Sequence, residues 1–398
     1  MIRSFLVCAS ALVLSACASL PAEADTAQAR AGTVPDVTQS MPETMASLDP
    51  SDSILFWSDE RRSLAFRDME GLYPGLEVAP AARPRPLVQG TPIEADLAAQ
   101  ARRFMRDTQA AGLIVLRDGK IVFEDYGLEM GPTDRWTSFS VAKSFTSTLL
   151  GAAIADGSIE SMQTDVTTII PALAGTAYDG VTIEQVATMT SGVAWNEDYT
   201  NPQSDVARML AVTPVAGESQ AVTYARTLTR EAPAGDKFVY KTLETNLLGL
   251  LVEEATGQSL ARYAASKIVE PAGFEHGLFW MQDLTGGNIG GCCLSLTLRD
   301  YARFGQFVAE GGSGVVPAGW FDKAGSPLVQ FGQGNGYGYQ WWTYPGAFGA
   351  QGIFGQAITI VPESNLVVAV ISNWPTATSS AHRTQFQRLV RELAEASR

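Results

Sequence analysis

The chain has 398 residues, of which 46% are hydrophobic and 18% charged. That composition excludes a disordered protein and supplies ample material for a full core. Lys and Arg number 28 against 42 Asp and Glu, a net charge of −14, so a polyanion such as DNA or RNA is repelled and nucleic acid is excluded as a partner. The two histidines, His276 and His382, have no metal-ligand spacing around them, which argues against a zinc hydrolase; no cofactor or metal is expected.

Met1-Ile2-Arg3 is a short basic start, and Phe5 to Ala16 is an apolar run of signal-peptide length. The run ends in Leu14-Ser15-Ala16-Cys17, which resembles the lipobox of bacterial lipoproteins. That resemblance implies removal of residues 1–16, acylation of Cys17 and tethering to a membrane on its periplasmic side. Ala18 carries no aspartate-type retention signal, which favours the outer membrane. An ordinary secretory signal cut at a nearby alanine, releasing the protein into the periplasm, is the alternative. Residues 17–53 are rich in Ala, Pro, Thr, Ser and Glu and read as a flexible tether, with order beginning near Ile54-Leu55-Phe56-Trp57. Of the remaining cysteines, Cys292 and Cys293 are adjacent and are expected to be free, partly buried thiols.

Gly112 to Tyr126 holds two apolar runs flanking Asp118-Gly119, a hairpin signal. Ser140 to Ala155 has helical apolar spacing and stops at Asp156-Gly157. Residues 158–330 read mostly as helices and loops, with helices over 182–190, 245–255, 260–269 and 297–309. Strand signals return at Phe354–Val361 and Leu366–Ile371 around a Pro-Glu-Ser-Asn turn, and Thr384 to Ala396 closes the chain as an amphipathic helix. The expected fold is α/β (α+β): a central antiparallel sheet from N- and C-terminal strands, flanked by helices. In this scheme 54–157 and 331–398 form a discontinuous sheet domain and 158–330 a mostly helical one.

No Gly-x-Ser-x-Gly elbow occurs, and neither histidine sits in a pattern that supports a Ser-His-Asp triad. The chain does contain one Ser-x-x-Lys match, Ser140-Val141-Ala142-Lys143. On a helix these two side chains share a face, so the amine reaches the hydroxyl one turn back. Serine becomes a good nucleophile only when a base takes its proton, and a lysine serves once burial lowers its pKa. Spacing alone leaves an N-cap serine with a solvated lysine as an alternative.

Further stretches give the motif its context. They are Phe139–Phe145; Met189-Thr190-Ser191-Gly192; Trp195-Asn196-Glu197-Asp198-Tyr199; Phe238–Thr242 followed by Asn246–Gly249; Leu298–Gly305; Tyr337–Trp342; and Gln351-Gly352-Ile353-Phe354-Gly355-Gln356. In this order they resemble the serine β-lactamase and penicillin-binding-protein superfamily, over roughly residues 54–398. The branch of class C β-lactamases, esterases and 6-aminohexanoate-dimer hydrolases is the most similar. The resemblance implies Ser140 as acylated nucleophile, Lys143 as its proton acceptor and Tyr240 as the group that passes the proton to the leaving group. It implies an oxyanion hole from the N–H groups of Ser140 and Ile353, and substrate contacts from Tyr199, Gln351 and Gly352. It also implies a β-lactamase/transpeptidase-like fold and a small ester or amide as substrate.

One departure bears on the substrate. The family's third element usually begins with Lys or His, and here the aligned residues are Ala350-Gln351-Gly352. No lysine follows Lys323, so this strand lacks a cation for the carboxylate of a penicillin. The expected activity is therefore hydrolysis of esters or amides through an acyl-Ser140 intermediate. A weak class C-like β-lactamase or D-alanyl-D-amino-acid peptidase is one alternative, and a non-catalytic penicillin-type sensor another. Lys241 is expected to be solvated or salt-bridged, Gln356 to anchor its strand, and Arg299-Asp300 to be structural.

Overall fold

The computed structural model describes residues 34–396, so the expected signal segment 1–16, the lipidation site Cys17 and the first part of the tether lie outside the described residues. In chain order the first strands are β1 (Val37–Ser40) and β2 (Gly75–Val78), then helix α1 (Ala95–Asp107). A hairpin of β3 (Ala110–Arg117) and β4 (Lys120–Tyr126) precedes β5 (Arg135–Thr137) and α2 (Ala142–Ala155). After several short helices come α3 (Thr242–Thr256), β6 (Leu278–Met281), β7 (Leu294–Thr297) and α4 (Leu298–Ala309). The C-terminal part holds β8 (Val329–Gly332), β9 (Asn335–Tyr337), β10 (Trp342–Tyr344), β11 (Ala347–Gln351), β12 (Ala357–Val361), β13 (Leu366–Ser372) and α5 (Ser380–Glu395).

The expected antiparallel sheet is present, with order β4-β3-β13-β12-β11-β10-β9-β8. The two ends of the chain meet where Leu366 to Ile371 of β13 pair with Arg117 to Gly112 of β3. Asp118 and Gly119 both have positive φ (50° and 72°), as a two-residue hairpin turn matching strand twist requires. On one face lie α1 and α5, which bury Leu97, Ala101, Phe104 and Met105, and Phe386, Leu389, Val390 and Leu393, at helical spacing. On the other face α4 lies close to the strands: a Cβ on Gly305 would sit 2.5 Å from Val367 Cγ1. Behind it α2 is buried from Ala142 through Ala153.

Three features depart from the sequence reading. A second antiparallel sheet exists, ordered β1-β2-β6-β7-β5, and two of its strands lie in the stretch expected to be mostly helical. These strands have three or four residues each, too short to show an alternating pattern. The tether expected over 17–53 is corrected in its second half, where Val37–Ser40 pair with Gly75–Val78 and Leu48 joins a small apolar cluster with Met69, Tyr73 and Met281. The expectation of free thiols is also corrected, because Cys292 and Cys293 are joined as a disulfide. Of the two states expected for Lys241, the salt-bridged one holds: it is fully buried and paired with the equally buried Glu244 at 3.4 Å.

Candidate active site

The second sheet fixes the Ser140 turn. Strand β5 leads through Ser138 into a single tight turn, Phe139–Val141, and then into α2. Ser138 donates its N–H to the carbonyl of Leu294 (2.7 Å), and its Oγ accepts from the Leu294 N–H (3.0 Å). The turn is thereby tied to β7 just beyond the Cys292–Cys293 pair. Phe139 has φ 44°, a conformation that costs an aromatic residue on the order of 1–3 kcal/mol. Tight packing holds it there, since its ring meets Phe66 at 5.0 Å and Phe354 at 5.4 Å. Phe354, next to Ile353, has positive φ as well (58°). Two strained aromatics in contact thus set the backbone beside Ser140 and beside Ile353.

Lys143 lies in the first turn of α2 and has lost contact with water. Its ammonium donates to Gly291 O (2.7 Å) and Thr242 Oγ1 (3.1 Å), and stands 5.4 Å from the centre of the Tyr240 ring. Burial lowers its pKa to about 7, and the Glu197 carboxylate opposes that change. Thr242 passes the contact on: its hydroxyl donates to Glu197, and its N–H donates to the same carboxylate at 3.0 Å. Glu197 also accepts from Trp195 Nε1 and, at 2.7 Å, from the hydroxyl of Tyr199. One network therefore runs from the buried Lys143 and Thr242 to the half-buried Glu197 and Tyr199.

Tyr240 enters across the cleft on the extended segment before α3. Burial first, then the Glu197 charge, pushes its hydroxyl well above the usual tyrosine range, while a hydrogen bond with Ser140 pulls the other way. Its ring stacks on Trp342, with centroids 5.6 Å apart, and meets Tyr337 edge-on at 6.1 Å. The segment is braced from behind. Met189 O accepts from the Val239 N–H (3.0 Å), and Ser191 donates to Glu244, the partner of Lys241. The Met189–Gly192 stretch thus supports Tyr240 without lining the cleft.

Two cavities meet at Ser140, Tyr199 and Ile353. A narrow one of about 100 Å³ is walled by apolar groups, among them Leu48, Ile54, Val206, Met209 and the Cys292–Cys293 pair. A wider cleft of about 380 Å³ is lined by Glu197, Tyr240, Trp342, Gln351, Gly352, Trp374 and Arg383. Gly352 is needed for close approach, since a Cβ there would fall 2.6 Å from Ser138 O. Gln356 anchors the next turn, donating to Ile353 O (3.1 Å) and Ser372 O (3.0 Å) and accepting from the Ser372 N–H (2.7 Å). Of the aromatic run 337–342, Tyr337, Tyr339 and Trp341 are core and only Trp342 faces the cleft. Arg299 pairs with Glu124, while the Asp300 N–H donates to Thr297, the N-cap of α4, and its carboxylate pairs with Arg303, so both are structural.

The structure brings together every residue expected at the site: Ser140, Lys143, Tyr240, Tyr199, Gln351, Gly352 and Ile353. It adds Thr242, Gly291, Glu197 and Arg383. Thr242 and Glu197 stand inside stretches that already drew notice, but neither has a local sequence signal of its own. Arg383 looks like any charged residue on an amphipathic helix.

A sheet of this order, with a serine on the turn entering a buried helix and a cleft at its edge, defines a β-lactamase/transpeptidase-like fold. A family model described as beta-lactamase matches residues 96–392, and the chain belongs to that family of hydrolases. A 6-aminohexanoate-dimer hydrolase from Paenarthrobacter ureafaciens is 30% identical over 292 residues, covering 68% of this chain and 74% of the relative. Among solved structures, a Bacillus anthracis protein assigned as a 6-aminohexanoate-dimer hydrolase matches with TM-score 0.73 at 20% identity, covering 83% of this chain and 93% of that one. A class C beta-lactamase matches with TM-score 0.58 at 16% identity, covering 75% and 97%.

Proposed function

We propose that this protein hydrolyses small esters or amides through an acyl-enzyme on Ser140. Lys143 accepts the Ser140 proton as the hydroxyl oxygen attacks the carbonyl carbon. The backbone N–H groups of Ser140 and Ile353 hold the oxyanion, and Tyr240 hands a proton to the departing oxygen or nitrogen. Water then attacks the acyl-serine with Lys143 and Tyr240 acting in reverse, releasing the acid and restoring Ser140.

The observation that carries this reading is the dehydration of Lys143 one helical turn beyond Ser140, which keeps its pKa near 7. A lysine in that state is a base at neutral pH, which an N-cap pair with a solvated lysine does not provide. Tyr240, hydrogen-bonded to Ser140, supplies the second proton carrier. The amide arm draws support from the Paenarthrobacter relative, named for hydrolysis of the 6-aminohexanoate dimer. Strand β11 departs from the usual third element of the family, ending in Gln351 in place of Lys or His.

Incubation with a fluorophosphonate followed by peptide mapping should place the adduct on Ser140. Ser140→Ala should lose at least about a thousandfold of ester turnover while keeping its thermal transition. An adduct elsewhere, or undiminished turnover by the variant, rejects the mechanism.

A further inference from the structure

The narrow cavity beside Ser140 takes no part in the proposed proton transfers. Leu48 and Ile54 close it from the N-terminal segment, Val206 and Met209 from the stretch after Tyr199, and Met281 and the Cys292–Cys293 pair from β6 and the approach to β7. Among the described residues no Asp, Glu, Lys, Arg or His side chain lines it. Beyond the site's own Ser140, Tyr199 and Thr242, its polar side chains are the hydroxyls of Ser47, Ser53 and Tyr73. Burial pushes the Tyr73 hydroxyl up to about 12, so it too is neutral at pH 7. Glu197 faces the wide cleft instead, where Thr242, Trp195 and Tyr199 engage both of its oxygens. A methylene chain gains free energy on entering such a cavity, whereas an ammonium or a carboxylate gives up its water there and meets no counter-charge.

We propose that this cavity binds the acyl half of the substrate and admits only an uncharged aliphatic chain, so that the acid released is an alkanoic acid without an ammonium or a second carboxylate. The side of the scissile bond follows from the two cavities. Ser140 and Ile353 line both, so a carbonyl held by their N–H groups sits where the two meet. Tyr240, the proton donor to the leaving group, lines the wide cleft and not the narrow cavity, which leaves the narrow one to the acyl chain. The assignment rests on Ser140 being the nucleophile. In the reaction the acyl C–O or C–N bond breaks, the Ser140–acyl bond forms, and the leaving group takes one proton. Water, the only co-reactant, then cleaves the Ser140–acyl bond and frees the acid.

The test compares p-nitrophenyl heptanoate with p-nitrophenyl 6-aminohexanoate at pH 7, each rate divided by that with hydroxide alone. The two chains differ only in a terminal methyl against a terminal ammonium. The wild-type protein should show kcat/KM at least about tenfold higher for the heptanoate. Equal values, or a preference for the ammonium ester, would overturn the assignment and leave the Ser140 mechanism standing. Turnover of neither ester would overturn that mechanism and this assignment with it. Ile54→Asp, which sets a carboxylate in the cavity wall, should lower the heptanoate-to-aminohexanoate ratio at least about tenfold, in part by raising turnover of the ammonium ester, and Ile54→Asn should not raise that turnover. An unchanged ratio in Ile54→Asp would refute the placement of the chain. Should the variants not fold, the wild type decides. Heptanamide should compete with the heptanoate ester more strongly than 6-aminohexanamide does, and equal inhibition by the two would refute the proposal.

Discussion

Lys143 shows how burial is turned into chemistry. An exposed lysine titrates near 10.5, and this one is brought to about 7 because its ammonium has exchanged water for one carbonyl and one hydroxyl. Turnover of a neutral ester should therefore rise with pH through about 7 as Lys143 loses its proton. A pH–kcat/KM profile flat from 5 to 9 would contradict this. Stability follows the same titration. Between the folded value near 7 and the unfolded value of 10.5, the unfolded chain binds the extra proton, so the stability contributed by this residue rises with pH. Below 7 both states are protonated, and the folded protein bears the full penalty of a buried ammonium. Lys143→Met should abolish turnover yet unfold at higher urea than wild type at pH 6, and that gain should shrink toward pH 10. A variant less stable than wild type at pH 6 would show that the lost hydrogen bonds outweigh desolvation. The pair Ser140 and Lys143 was legible in the sequence because a helix fixes its spacing. The environment that activates the lysine was not, because Gly291 and Thr242, which replace its water, come from distant segments.

Among the elements, β11 and the Ser140 turn face one another with little room between them. Gly352 lies 2.6 Å, measured from an added Cβ, from Ser138 O and 3.2 Å from Phe139 Cβ. Gly352→Ala should push the turn and Ile353 apart, lowering kcat about a hundredfold while the thermal midpoint falls by only a few degrees. Retained kcat would show that the turn yields without cost to geometry. The long apolar elements β3, β4, β12, β13, α3 and α4 were readable, with boundaries displaced by a few residues, since each buries a full face. The strands β5, β6 and β7 were not. They are stabilised by pairing with one another and are too short to carry a period.

Across the whole molecule, the segment 34–57 behaves as part of the fold. It adds β1 to the edge of the second sheet and lays Leu48, Ile54 and Leu55 over the apolar cavity. A chain beginning at Ser58 should melt several degrees lower and lose its preference among p-nitrophenyl esters of different acyl length, because one wall of that cavity is gone. An unchanged chain-length preference would show that the segment does not shape the site. By composition residues 34–53 of it read as tether, because four strand residues amid polar ones give no pattern of their own.

Local spacing and motifs kept in order were enough to reveal the family, the antiparallel sheet closed by both chain ends, and the candidate nucleophile with its lysine and tyrosine. The rest took shape only in three dimensions: the second sheet, the disulfide beside the cavity, the Thr242–Glu197 network and the cation in the cleft. Strand β11 lacks a basic residue, and with no lysine after position 323 that strand offers no cation of its own. Helix α5 nevertheless brings Arg383 beside Gly352, 31 positions away in the chain. The charge of a site is a sum over elements that meet in space, and no window of sequence contains that sum.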